Sequence, residues 1–267
     1  MKRGLILYND QDSFRNRWFI ERCLKELNNR KFSLKYYDER SIIVPYFDHK
    51  KVDFLINRSH DFKVAAQFEK DGIRCFNNAS TNEIANDKYK TYEFFAKNKI
   101  PCIKTYHSIS KLTEFPLVMK SVDGHGGKEV YLVNSKEEAE EIKRKKSHKT
   151  FIYQKFIKNN GDLRIYILGN KIIGAVLRQN EQDFRSNYSL GGSVSKYEPD
   201  DVLKHLALKI SKQLKADFIG VDFLKTEDGF IANEIEDPVG SRMLYETSDI
   251  DAIGLFIQYI KEKMSKY

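Results

Sequence analysis

The chain has 267 residues, 41% hydrophobic and 31% charged, with a formal net charge of +8. This is the composition of an ordinary globular protein, long enough to bury about three-quarters of its unfolded surface. No run of about 18 apolar residues is present to span a membrane, and the N-terminus turns polar at Asn9, too early for a signal peptide. Cys23, Cys75 and Cys102 are odd in number and form no CxxC pair, which argues against a disulfide framework or zinc site and suits a reducing cytoplasm.

Along the first 80 residues strand and helix signals alternate. Gly4–Tyr8, Leu34–Tyr37 and Asp53–Ile56 read as strands, Ser13–Leu27 as a helix, and Phe62–Lys70 as a second helix ending at Gly72. The pattern predicts a small βαβ domain with a parallel sheet over 1–85. No GxGxxG follows its first strand, so it does not read as a dinucleotide fold. A second unit, 86–153, opens with a helix from Tyr89 to Asn98. It continues through a buried strand Phe115–Lys120, a glycine loop Gly124-His-Gly-Gly127 and a strand Glu129–Val133. The helix after it carries a capping box, Ser135 with Glu138, and ends in the basic run Lys143–Lys146. That run is helix chemistry, and no RNP, zinc-finger or helix-turn-helix signature accompanies it, so no nucleic-acid partner is expected. The third unit, 154–267, takes in most of the strand Phe151–Ile157, a hairpin about Gly169-Asn170 and a helix from about Pro199 to Leu214. A second hairpin and a final amphipathic helix, Asp251–Lys263, complete it.

The second hairpin carries most information. A strand ending near Lys225, a turn through Glu227, Asp228 and Gly229, and a strand Phe230–Ile235 place Asp222 opposite Glu234, with Glu236 on the same face. Two such charges about 4 Å apart repel by roughly 4 kcal/mol at an effective dielectric of about 20. A cation between them is expected, and hard oxygen ligands suit Mg²⁺ completed by phosphate oxygens. A merely wet hairpin face is the alternative from this segment alone. Lys88, Lys120, the glycine loop, Arg164, Arg178 and Arg185 add the cations that transfer of a phosphoryl group requires. With no GxxxxGK[ST], the chain is not a P-loop enzyme.

From Asn77 to the C-terminus, the order of these motifs resembles the ATP-grasp superfamily, in its RimK-like carboxylate–amine ligase branch. The resemblance rests on Asn78-Ala-Ser, Asp87-Lys88, Phe115–Lys120 with Gly124–Gly127, Gln154–Ile157, Gly161–Arg164 and Arg178. Asp183-Phe-Arg-Ser-Asn187 with Gly191-Gly192, Gly220–Asp222 and Glu234–Glu236 complete it. It implies an α/β chain (α+β in detail) with the ATP-grasp fold: an N-terminal parallel domain, a central lid subdomain and a C-terminal antiparallel subdomain. It implies ATP as co-substrate and Mg²⁺ as cofactor, with Mn²⁺ as a substitute. Lys88, Lys120, Gly124, Gly126 and Gly127 would meet the phosphates, and Gln154, Lys155, Phe156 and Ile157 the base. Asp162 would face the ribose. Arg185, Ser186 and Asn187 would lie by the phosphates and reacting carboxylate, with Arg164 and Arg178 in the same catalytic set. Asp222, Glu234 and Glu236 would hold the metal.

The implied activity is ATP-dependent ligation of a carboxylate to an amine through an acylphosphate, with small-molecule or peptide substrates; a monomer and a homo-oligomer both stay open. A small-molecule kinase and a non-catalytic nucleotide-binding regulator are the alternatives. Glu236 replaces the family's usual Asn, and the segment Asp237–Tyr245 departs from the family, so the resemblance does not carry substrate identity. Arg242 in that segment is a candidate for binding a substrate carboxylate, with a surface pair to Asp237 or Glu246 as the alternative. Asp222→Asn and Glu234→Gln are each expected to abolish turnover with the fold intact, and the loop 123–128 is expected to close over phosphates.

Overall fold

The computed structural model describes residues 1–41, 51–127, 129–180 and 192–266. Near-continuous apolar runs, the mark of strands covered on both faces, form the central strands β1 (Lys2–Tyr8) and β3 (Phe54–Arg58), flanked by the partly exposed edge strand β2 (Phe32–Asp38) and the short β4 (Arg74–Phe76). They run parallel in the order β2-β1-β3-β4. The helix expected over Ser13–Leu27 is broken at Asn16 into α1 (Asp10–Arg15) and α2 (Arg17–Glu26). The cause is local: the Asn16 amide donates to the Asp12 carbonyl at 2.8 Å, an alternative to continuing the helix. No residue of α1 is buried, so it projects from the sheet rather than packing on it. The next helix, α3 (Phe62–Lys70), is capped by Asp61 as its sequence suggests.

The middle of the chain holds α4 (Ala79–Ala85), α5 (Lys88–Lys97), β5 (Thr105–Tyr106), β6 (Leu117–Ser121), β7 (Val130–Val133), α6 (Lys136–Lys145) and β8 (Phe151–Lys155). Its sheet is antiparallel in the order β5-β8-β6-β7. Ser135 caps α6, accepting from Glu138 N at 3.2 Å, and the Glu138 carboxylate accepts from Asn134 N at 2.7 Å. β8, assigned in part to the third unit, pairs on both sides with central strands.

The C-terminal sheet, also antiparallel, has the order β11-β10-β9-β12-β13. Its strands are β9 (Asp162–Leu168), β10 (Lys171–Gln179), β11 (Ser193–Lys196), β12 (Phe218–Thr226) and β13 (Gly229–Glu236); three helices accompany it, α7 (Asp201–Leu214), α8 (Arg242–Thr247) and α9 (Ala252–Met264). Alternation along β9 decides what each face does. Leu163, Ile165 and Ile167 share one core with α7 through Leu203, Ala207 and Ile210, while Tyr166 and Leu168 share another with α9 through Phe256 and Ile260. Asp162 and Arg164 share the Tyr166 face but lie beyond that apolar contact, so one face is core at one end and charged at the other.

Asparagines tie the units together. Asn77 donates to the Phe218 carbonyl at 2.8 Å and to Asp237 at 2.7 Å, Asn82 donates to Asp237 at 3.0 Å, and Asn86 to the Asp237 carbonyl at 2.7 Å. Arg58 at the end of β3 donates to the Val239 carbonyl at 2.8 Å. The loop following Glu236 is thereby held from the N-terminal side.

Candidate active site

Asp222 pairs with Glu234 across the β12–β13 hairpin, as the sequence predicts, but by a different route. The turn has two residues rather than three, since Thr226 pairs with Gly229, and a β-bulge between Asp222 and Phe223 restores the register. Neighbouring strands extend the array. Asp222 is also opposite Arg164 on β9, and Asp162 is opposite Arg178 on β10. Five charged side chains therefore occupy neighbouring lattice positions on one face.

Their hydrogen bonds revise the electrostatic argument. Arg164 grips Asp222 with both arms of its guanidinium, each at 2.7 Å, and reaches Glu236 at 2.6 Å. Arg178 donates to Asp222 at 2.6 Å and to Asp162. Gly220 leaves room for this packing: a Cβ there would stand 2.9 Å from Val239 Cγ2 and 3.3 Å from both Arg164 Cδ and Glu236 Cβ. On the other side, Glu234 faces Lys88 at 3.6 Å and Lys120 at 4.0 Å. The cations that relieve repulsion among the carboxylates are thus protein side chains: Asp162, Asp222, Glu234 and Glu236 meet Arg164, Arg178, Lys88 and Lys120. Among the described residues no three His, Cys, Asp or Glu side chains converge closely enough to hold a metal ion.

Burial works to raise the Asp222 pKa, but Arg164 and Arg178 overcome it and hold the carboxyl at about 2. Burial pushes Asp162 up to about 6 despite Arg178. Burial would raise Glu234 as well, yet Lys88 and Lys120 keep it below the ordinary glutamate value. The enclosed Lys120 is lowered by burial, with Glu234 and Asp162 opposing.

These groups form part of the wall of one pocket between the central and C-terminal sheets. Lys88, Lys120, Gly126, Gly127, Gln154, Lys155, Phe156, Ile157, Asp162, Arg178, Asp222, Glu234 and Glu236 all line it. The Lys155 ammonium turns outward to Glu114 at 3.0 Å, leaving its backbone at the pocket. Gln154 spends its amide on Thr105 at 2.8 Å. Gly124 is not in the wall, but its carbonyl accepts from Lys88 at 2.6 Å, tethering the glycine loop. Arg164 stands behind the wall, acting through Asp222 and Glu236. Leu224, Val118 and Asn233 also line the pocket. Nothing in their spacing singled out the first two, and Asn233 reaches the wall through the bulge. Arg185, Ser186, Asn187 and Lys128 lie outside the described residues.

A second cleft, of about 1140 Å³, adjoins the first and shares Gly126 with it. Its walls come from α1, Glu39 and Arg40 after β2, the β3–α3 loop with the start of α3, the glycine loop and Arg242. Asp10, Asp12, Glu39 and Asp61 face Arg15, Arg40, Lys63 and Arg242 around it. Arg242 is exposed, and its nearest hydrogen bond is to the Arg15 carbonyl at 3.5 Å. It has no ion pair among the described residues, and Asp237, one of its expected partners, is buried on asparagines instead. Where pocket and cleft meet, His60 of the β3–α3 loop stacks on His125 of the glycine loop with ring centroids 4.2 Å apart. Burial lowers both imidazoles, His60 to about 4. His125, Asp12, Glu236 and Arg58 act on His60, and Lys88, Glu234, Asp12 and Asp123 act on His125.

Two predictions follow from this geometry. Asp222→Asn removes a partner from two buried guanidinium groups and should destabilise the protein by about 3–5 kcal/mol in urea unfolding. Glu234→Gln, at a partly exposed site, should cost about 1 kcal/mol or less. The fold is therefore expected to tolerate Glu234→Gln better than Asp222→Asn. For the histidine stack, the folded state favours neutral rings, so its contribution is complete above the unfolded pKa of about 6.5 and is lost as pH falls, for His60 towards about 4. Hydrogen exchange in 123–127 should rise over that window in the native protein, and the double variant His60→Phe/His125→Phe should remove the rise.

The sequence profile of the RimK-like ATP-grasp domain matches residues 85–260. The uncharacterized protein "MG011 homolog" of Mycoplasma pneumoniae is 30% identical over 254 residues, 91% of this chain and 86% of its own. A probable alpha-L-glutamate ligase of Maridesulfovibrio salexigens is 30% identical over 213 residues, 74% of this chain and 71% of its own. The D-alanine–D-alanine ligase of Bacillus anthracis complexed with ATP has a TM-score of 0.76 at 16% identity, with both chains fully covered. The three sheets and the motif order agree with these likenesses: the chain belongs to the RimK-like ATP-grasp ligase family.

Proposed function

We propose that the protein is an ATP-dependent carboxylate–amine ligase that works through an acylphosphate and releases ADP and phosphate. The observation that carries this reading is the junction of two sites. One pocket has ammonium and carboxylate groups in the same wall, and a charged cleft adjoins it at Gly126, which lines both. The base of ATP would lie against the backbone of Lys155–Ile157, with Lys88 and Lys120 at the phosphates. Glu234 and Glu236 suit a hard cation: their side chains are 26% and 33% exposed, and Glu234 makes no hydrogen bond among the described residues. Asp222 suits it less well, because both its oxygens are taken by arginines. Mg²⁺ bound there would neutralise phosphate oxygens.

The chain's own contribution is orientation and charge. Lys88 and Lys120 would hold the phosphates in line, and the glycine loop, tethered by Lys88 and stacked on His60, would keep water from the activated carbonyl. The cleft's mixed acids and bases suit substrates carrying both ammonium and carboxylate groups. Its volume exceeds the ~300–1,000 Å³ of common small-ligand pockets, giving room for a peptide as well as a free amino acid. The glutamate ligase among the relatives makes glutamate the first amine to try.

ATP-dependent phosphate release should appear in a screen of amino acids and short peptides, with an amide product by mass spectrometry. ADP without an amide would favour a kinase, and no turnover a binding protein. Glu234→Gln should lower kcat by about 10²-fold or more. Arg242→Lys should raise the KM of the carboxylate-bearing substrate well beyond that of ATP, because lysine cannot reproduce the guanidinium fork. Equal effects on both would return Arg242 to a structural role.

A further inference from the structure

We propose that Asn233 is the positioning residue for Lys120, a neutral acceptor that aims the ammonium at the nucleotide phosphates. The inference rests on the reading of the pocket as a nucleotide site. Strict alternation along β13 would send Asn233 and Glu234 to opposite faces. The bulge prevents this: Ala232 and Ile235 are both buried in the core shared with α7, and Asn233 and Glu234 both line the pocket. A bulge leaves a residue out of the ladder, so it costs sheet pairing and is found where a side chain must be re-aimed.

What it aims is specific. Asn233 Oδ1 accepts from Lys120 Nζ at 3.0 Å and from the Tyr92 hydroxyl at 3.0 Å, and that hydroxyl accepts from Lys120 at 3.4 Å. Lysine can only donate, so these contacts settle which amide atom faces it. Tyr92 stands one helical turn from Lys88 on α5, and this places both residues on the same side of the pocket. Lys120 is 6% exposed and could turn towards few other partners.

The neutrality of the acceptor matters as much as its position. Lys88 and Lys120 with Glu234 leave this wall with one net positive charge. Aspartate at 233 would hold the ammonium equally well but would cancel that charge and repel phosphate oxygens. An apolar residue would keep the charge but leave the ammonium and the Tyr92 hydroxyl without their shared partner.

The test is displacement of a fluorescent ADP analogue by ADP and by adenosine, using the full chain in EDTA so that no metal effect enters through Glu234. The wild type, Asn233→Asp and Asn233→Leu are compared. The near-isosteric aspartate keeps the test valid should leucine disturb the bulge, and circular dichroism checks the fold of each. Both variants are expected to weaken ADP about tenfold while changing adenosine less than twofold, because the ammonium acts on phosphate. Equal losses for ADP and adenosine, or ADP affinity unchanged in Asn233→Asp, would overturn the role. A wild type that binds neither ligand would overturn the nucleotide-site reading itself.

Discussion

The bidentate grip of Arg164 on Asp222, shared with Arg178, is the constraint on which the rest of the site depends. It joins β9, β10 and β12 at one end of a face whose other end is apolar core. Buried ion pairs of this kind bring little net stability, but losing one member is costly because the other charge stays buried. The lattice therefore acts mainly as a register device. With Asp222 held opposite both Arg164 and Glu234, the acids of β13 are delivered to the pocket, and Gly220 leaves the gap through which Arg164 meets Glu236.

The N-terminal sheet enters the site indirectly. Three asparagines converge on Asp237, and Arg58 holds Val239, so the segment after the last pocket acid is anchored across the units. The same sheet supplies His60 and much of the second cleft.

Much of this was legible in the sequence, and its limits have physical causes. The pairing of Asp222 with Glu234 came out correctly because a turn one residue shorter and a bulge one residue longer compensate. Alternation senses the sum of the two and cannot see either alone. Asn233 was missed for that reason. The carboxylates signalled a need for positive charge, but sequence spacing could not show that Arg164, Arg178, Lys88 and Lys120, far apart in the chain and close in space, supply part of it. Asn16 broke a helix whose apolar periodicity ran on, through a side-chain hydrogen bond that periodicity does not register. The cleft gathers residues from five separate segments, Arg242 among them, and no local signature joins them.

The central claim is that the carboxylate substrate is activated by phosphorylation before the amine attacks it. It is tested most directly by supplying the carboxylate substrate with both oxygens labelled as ¹⁸O and analysing the phosphate released. Passage through an acylphosphate predicts one ¹⁸O atom in each phosphate formed, in step with amide production. Unlabelled phosphate accompanying amide formation would contradict the account.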